Sequence, residues 1–202
     1  MNSQAKTFER INQKRRTRTE LLRAARELIE GGNRNPSVGD VADRAQISRA
    51  TAYRYFSASE ELIREAVLDG VAGVIDVPPA GDDDGPEEAA ARLDTLVSQV
   101  FDMVLSNESV FRTLLATSAT GQSSARRGGR RLTWLREALS PLADKIPARD
   151  FDRLVNSLSL VTGIEALVVT RDICELENDE AAQLLRWTAK TLLKCALAES
   201  LR

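Results

Sequence analysis

Catalysis needs side chains that can move a proton, attack a carbon or hold an ion, and this sequence has few of them. It contains no histidine and two cysteines, Cys174 and Cys195, far apart and in no CxxC spacing. The commonest general base and metal ligand is therefore absent, and no Ser–His, Cys–His or HExxH arrangement can be built. No catalytic residue, metal site or cofactor is expected, nor a disulfide framework. Each cysteine lies inside an apolar helical pattern and is read as a buried, inert thiol. The residues that do suggest chemistry are Ser48, Arg49, Ala50 and Thr51, followed closely by Tyr53, Arg54 and Tyr55. Hydroxyls, guanidinium groups and phenols in one short run are hydrogen-bond donors suited to base edges and phosphate oxygens.

Such donors act only if an element carries them into a groove. The run sits on a short helix, about 49–55, which Ser48 caps. A helix of similar length precedes it, with Val38, Val41, Ala42 and Ala45 on one apolar face and a capping-type start from Ser37 to Asp40. Two short helices joined by a three-residue turn form a helix-turn-helix, here about 37–56, whose second helix enters the major groove by its N-terminal end. The predicted DNA contacts are Ser37, Arg44, Gln46, Ser48, Arg49, Ala50, Thr51, Tyr53, Arg54 and Tyr55. One of the two tyrosines is expected to pack while the other bonds phosphate. Val38, Val41, Ala45, Ile47 and Phe56 read as the small core beneath them.

Periodicity elsewhere is helical throughout, with no convincing strand. Residues 1–14 read as a flexible basic arm, in which Lys14 and the neighbouring Arg15, Arg16 and Arg18 could reach phosphates or simply stay solvated. Thr17-Arg18-Thr19-Glu20 has capping-box spacing, and Leu21, Leu22, Ala25, Leu28 and Ile29 form the apolar face of a first helix that Gly31-Gly32 stops. Ser57-Ala58-Ser59-Glu60 reads as a capping box that opens a fourth helix, expected from about 60 to 75. Residues 76–86, with prolines, glycines and Asp82-Asp83-Asp84, read as a loop between domains. Five further helices are expected, over about 87–105, 108–119, 130–142, 150–173 and 178–201.

The charge follows the same division. Residues 1–60 carry 12 Lys and Arg against 7 Asp and Glu, whereas the whole chain is at −2. A basic front on an acidic body suits a polyanion reader joined to a domain that stays off DNA. The polar, basic N-terminus has no apolar signal region and no membrane span is expected, which points to a cytoplasmic protein.

Ser48-Arg49-Ala50-Thr51-Ala52-Tyr53-Arg54-Tyr55-Phe56, followed by Glu60-Glu61-Leu62 and preceded by Val41-Ala42 and Ala45, resembles the signature of the tetracycline-repressor (TetR) family. The resemblance covers the first four helices, about 17–75. It implies an all-α fold of about nine helices: an N-terminal three-helix helix-turn-helix DNA-binding domain (15–75) plus a C-terminal helical dimerisation and effector domain (87–202). It also implies a homodimer on double-stranded DNA, with repression relieved by a small-molecule effector of unknown identity. Phe101, Met103, Val104, Phe111, Leu115 and Trp134 fall on helices that line the ligand pocket in similar proteins. The alternative is an architectural or protein-regulated DNA-binding dimer without such a ligand. Two positions depart from the pattern. Gln46 stands where the family usually has glycine, so it must tolerate a left-handed backbone. Ser59 stands where a phosphate-binding lysine is common.

The segment 158–169 is apolar nearly all round, which calls for burial on every side. Pairing with a second copy would supply it, and Leu158, Val161, Leu167, Trp187 and Leu193 are the expected dimer-interface residues; burial within the subunit is the other solution. Glu165 lies inside this run. It is expected either to pair with Arg171 or Arg186, or to face the ligand cavity. Arg126-Arg127-Gly128-Gly129-Arg130-Arg131 reads as a solvated basic loop.

Overall fold

No proline or glycine occurs between Asn2 and Glu30, and the computed structural model of the chain makes that stretch one helix, α1 (Asn2–Glu30). The model describes residues 2–71, 73–81, 83–119 and 130–200. The flexible arm expected over 1–14 is thus helical from Asn2, because Gln, Lys, Glu and Arg favour a helix and nothing breaks it. The capping-type run at Thr17 lies inside the same helix. Gly32, at φ +96°, ends α1: the Asn33 N–H donates to the Leu28 carbonyl at 2.9 Å and the Gly32 N–H to Ile29 at 3.0 Å, the Schellman arrangement.

The described helices fall into two compact units. The first contains α1, α2 (Val38–Arg44), α3 (Arg49–Tyr53), α4 (Ser59–Gly70) and, from Ser109 on, α6 (Glu108–Ala119). Leu21, Leu22, Ala25, Val41, Ala42, Ala52, Phe56, Leu62 and Ala66 are its core, with Leu28, Ala45, Ile47 and Tyr55 packed against them. Each fully buried Leu or Phe of this set contributes roughly 1.5–3 kcal/mol. A second cluster joins Ile29, Ile63 and Val67 to Val110 of α6. The fourth helix stops at Gly70, short of the expected 75, and Arg26 caps its last turn by donating to the Ala66 carbonyl at 3.0 Å. Its first turn has Ala58 as N-cap and no side-chain cap, contrary to the capping box expected there.

The second unit contains α5 (Pro86–Ser106), α7 (Arg130–Ala138), a 3-10 turn at Ser140–Leu142, α8 (Ala148–Leu160), α9 (Ile164–Val168), a π-helical turn at Val169–Ile173 and α10 (Asn178–Ser200). Pro86 at the first position and Glu88, whose carboxylate accepts the Gly85 N–H at 2.8 Å, start α5. Its buried face, Leu93, Leu96, Val97, Val100, Phe101 and Val104, is the spine on which α7, α9 and α10 pack. Arg92 donates to the carbonyls of Glu137 (2.5 Å) and Ala138 (3.0 Å) and so closes the end of α7.

The single helix expected over 150–173 is broken. Gly163, at φ +92° and ψ −168°, turns the chain between α8 and α9 into a conformation that side chains rarely adopt. Arg131 of α7 lies directly over it, donating to the Ser159 carbonyl at 2.9 Å and to Glu165 at 2.7 Å. Glu165 therefore pairs with Arg131. Arg171 and Arg186, its expected partners, hold Glu177 and Asp94 instead. The break also resolves the all-round apolar pattern. Phe151, Leu154, Val155 and Leu158 form one buried stripe of α8, while Leu160 points to water. Ten α-helices and no strand occur among the described residues. None of those helices is by itself long and apolar enough to cross a membrane.

Candidate nucleic-acid interface

The site is built on the turn between α2 and α3. Ser37 caps α2 reciprocally with Asp40: the Asp40 N–H donates to the Ser37 hydroxyl at 3.1 Å, and the Ser37 N–H to the Asp40 carboxylate at 2.9 Å. That backbone bond, with the hydroxyl behind it, holds the Asp40 carboxyl below the ordinary carboxylate range. Ser37 thus spends its hydroxyl and its N–H on the helix start. At the other end of α2, Gln46 sits at φ +55°. The Ile47 N–H donates to the Ala42 carbonyl at 2.9 Å and the Gln46 N–H to Asp43 at 3.2 Å, a second Schellman turn. Three residues suffice to reverse the chain because one of them is left-handed, a position that glycine would fill without strain.

Ser48 then caps α3, accepting the Thr51 N–H at 3.2 Å, and its hydroxyl lies 2.8 Å from that of Thr51. Ala52 turns inward and is fully buried, so the opposite side of this short helix must face water. Arg49, Ala50, Tyr53 and Arg54 are exposed there and Thr51 is half-buried. Tyr53 is 53% exposed, whereas Tyr55 packs against the core beside Phe56. Of the two tyrosines, Tyr53 is the one whose phenol is free to meet a partner.

Most of the arginines near this face are held by carboxylates, which helical spacing alone does not reveal. Arg49 forks onto Asp43, Nη2 to Oδ2 at 2.6 Å and Nε to Oδ1 at 3.3 Å. Arg44 pairs with Glu27 at 2.7 Å, and Glu27 also takes Arg23. The bonds from Arg49 and Arg44 hold the Asp43 and Glu27 carboxyls below their usual range. Arg18, expected among the arm cations, lies 5.5 Å over the Phe56 ring and pairs with Glu65 inside the domain. Arg54 makes no ion pair among the described residues and remains an exposed cation.

Residues 21–66, which contain this whole arrangement, match the family model of bacterial regulatory proteins, tetR family. The segment that carries α2 and α3 is thus of the tetR type. DNA-binding transcription regulation is the class of function that this family carries. Two solved structures resemble the chain over most of both lengths. A TetR transcriptional regulator from Rhodococcus sp. RHA1 superposes with a TM-score of 0.64 at 18% identity, covering 89% of this chain and 96% of its own. A TetR-like transcriptional regulator from the same organism gives 0.52 at 20% identity, covering 90% and 96%. At these identities the likeness is one of fold. No curated protein sequence matches the chain.

The residues expected to serve a TetR-type effector pocket belong to both units. Phe101, Met103 and Val104 are buried on α5, while Trp134 on α7 and Glu165 on α9 are half-buried in the same unit. Phe111 packs with the Ile29 and Val110 cluster of the first unit, and Leu115, half-buried, lies on the same helix α6. Among the expected interface residues, Leu158, Leu167 and Leu193 are buried within the second unit, Val161 is half-buried and Trp187 is 64% exposed. The basic stretch before Arg130 lies outside the described residues. Both cysteines are exposed, contrary to the expected burial, because Cys174 closes the π-helical turn and Cys195 lies on the outer side of α10.

Proposed function

We propose that this regulator is a homodimeric repressor that reads a pseudo-palindromic operator through α3 and is released from it by a small-molecule effector. The observation that supports the reading best is α3 itself. Its inner side is locked into the core by Ala52 while Arg49, Ala50, Tyr53 and Arg54 remain in water. A helix so placed can enter a major groove by its N-terminal end, with Arg49 and Thr51 toward base edges and Tyr53 and Arg54 toward phosphates. Ser37, Arg44, Gln46, Ser48 and Ala50 belong to the same surface in this reading.

For dimerisation, what speaks is the apolar surface that the second unit leaves exposed: Leu160, Val169, Ile173, Leu184 and Trp187. Large apolar groups in water on helices are best covered by a second copy of the same surface. For an effector, the support is the match of residues 21–66 to the tetR family and the aromatic content of the second unit, where Phe101, Trp134 and Glu165 are the residues we assign to it. Effector binding would change the spacing of the two recognition helices and so the fit to one helical turn of DNA.

The test is selection of bound duplex from a random pool, followed by a screen for compounds that release the selected DNA. Enrichment of an inverted repeat and release by a compound support the proposal. A chain that enriches no sequence defeats it. A chain that binds specifically but ignores every compound that raises its melting temperature acts as an architectural or protein-regulated binder.

A further inference from the structure

We propose that Asp43 is a specificity-determining residue of the nucleic-acid interface, one that holds Arg49 by one edge so that its other edge is offered to a base and its charge is withheld from phosphates. The inference rests on the reading of α3 as the element that enters the groove. It starts from the way the guanidinium is held. Nε and Nη2 both point at the Asp43 carboxylate, at 3.3 and 2.6 Å, so the two planar groups lie side by side and the plane of the fork is fixed.

Beneath it is Gly39. A Cβ built there would lie 3.5 Å from Nε and 3.6 Å from Cζ, so a glycine leaves open the space beside the guanidinium. Arg49 has five N–H donors, and the grip of Asp43 engages the Nε–Nη2 edge. The Nη1–Nη2 edge is left, and a two-donor edge of that kind spans O6 and N7 of guanine.

The carboxylate also decides what Arg49 does not do. Nearby Arg54 makes no ion pair among the described residues, so it carries its full charge to any phosphate regardless of sequence. Arg49 arrives with its charge already matched by Asp43, and a phosphate that took it over would come to lie beside an unpaired carboxylate. A neutral acceptor edge raises no such conflict. The same pair therefore favours bases over backbone by penalising the wrong partner. Because Arg49 keeps the Asp43 carboxyl below its usual range, the pair is intact across neutral pH.

The experiment titrates the full chain and its variants against a duplex selected from a random pool and a scrambled duplex of the same composition, at two salt concentrations. Asp43→Asn keeps the shape and removes the charge. It should tighten binding to the scrambled duplex and lower the ratio of selected to scrambled affinity about tenfold, the scale of one good bidentate base contact. The dependence of log affinity on log salt should steepen by about 1 per subunit, since one more cation releases counterions. In the Arg49→Ala background, Asp43→Asn should tighten both duplexes alike and leave the ratio of selected to scrambled affinity unchanged. Arg49→Lys, which keeps the charge but loses the fork, should lower the ratio even with Asp43 in place.

An unchanged ratio in Asp43→Asn overturns the proposal, as does a change of the ratio by that variant that persists without Arg49. So does Arg49→Lys with a full ratio, which also covers the case in which Asp43→Asn folds poorly. Each of these outcomes leaves specific binding by the unmodified chain intact. A failure of that chain to select any duplex removes the DNA reading itself and the inference with it.

Discussion

Gln46 illustrates how one residue sets a surface. Its left-handed backbone closes the turn that aims α3, and an ordinary side chain in that conformation costs about 1 kcal/mol. Gln46→Gly should therefore raise stability by up to about 1 kcal/mol, measured as an upward shift of a urea or thermal midpoint with the slope of the transition unchanged. A drop in midpoint would mean that the Gln46 side chain itself holds the turn. On the reading face, Tyr53→Phe should weaken binding to selected and scrambled duplexes alike, whereas Arg49→Ala should lose more on the selected one, by about 1–3 kcal/mol per half-site. Equal losses for Arg49→Ala on both duplexes would place it on the backbone. The elements of this face were legible in the sequence: capping serines and a helical run of donors are local signals, and the family resemblance marked Gln46 as standing where glycine is usual. The carboxylates that hold the arginines were not. Asp43 lies six positions before Arg49 across a turn, and Glu27 lies seventeen before Arg44, so neither falls at a helical spacing.

At the scale of elements, the informative case is the break between α8 and α9. Periodicity over 158–169 shows apolar residues on every side and gives no sign that the chain turns there, because a single glycine inside a helical pattern is tolerated often enough to be read through. What decides it is tertiary. Arg131 occupies the space where a Cβ of residue 163 would stand, 2.3 Å from its Nη2, and ties the Ser159 carbonyl to Glu165 across the gap. Gly163→Ala should consequently destabilise the chain by about 1–3 kcal/mol, by backbone strain and by displacement of Arg131. In an Arg131→Ala background the same substitution should cost less, and a double-mutant cycle in denaturant reads the difference. Additive losses would show that the backbone conformation alone carries the penalty. Longer elements were easier to anticipate: α5, α6 and α10 lie within a few residues of their expected bounds because Pro, Gly and polar breaks flank them. The front of α1 was missed because its polar residues satisfy a helix without giving it an apolar stripe to be recognised by.

For the whole molecule, a chain without histidine has no side chain whose ordinary pKa lies between about 5 and 8. The clear displacements concern groups that stay charged there. Glu27, Asp40, Asp43 and Asp94 are held low, chiefly by hydrogen bonds from Arg44, the Ser37 backbone, Arg49 and Arg186 respectively. A carboxyl depressed in the folded state stabilises it above the unfolded pKa, and that contribution is lost as pH falls through the folded value. Melting temperature should thus be nearly flat from about pH 5.5 to 7.5 and fall below about pH 4. A pronounced step near pH 6.5 would contradict this. Sedimentation should give about twice the chain mass of 22.2 kDa. Trp187→Glu should return the monomer with its helical spectrum intact, since that ring is mostly in water, whereas Leu167→Glu should unfold the unit that buries it. Monomeric behaviour of the unmodified chain would defeat the dimer.

The exposed thiols Cys174 and Cys195 give the chain two native attachment points for a nitroxide or a dye, both outside any disulfide. Replacing one with serine leaves a single label per subunit, and in a pair of subunits each label has one counterpart to be ranged against. Pulsed electron resonance on that singly labelled protein would record how far the two copies lie apart, alone, on DNA and with each compound that releases it. The movement proposed for repression could then be followed as a distance without altering any residue of the reading face.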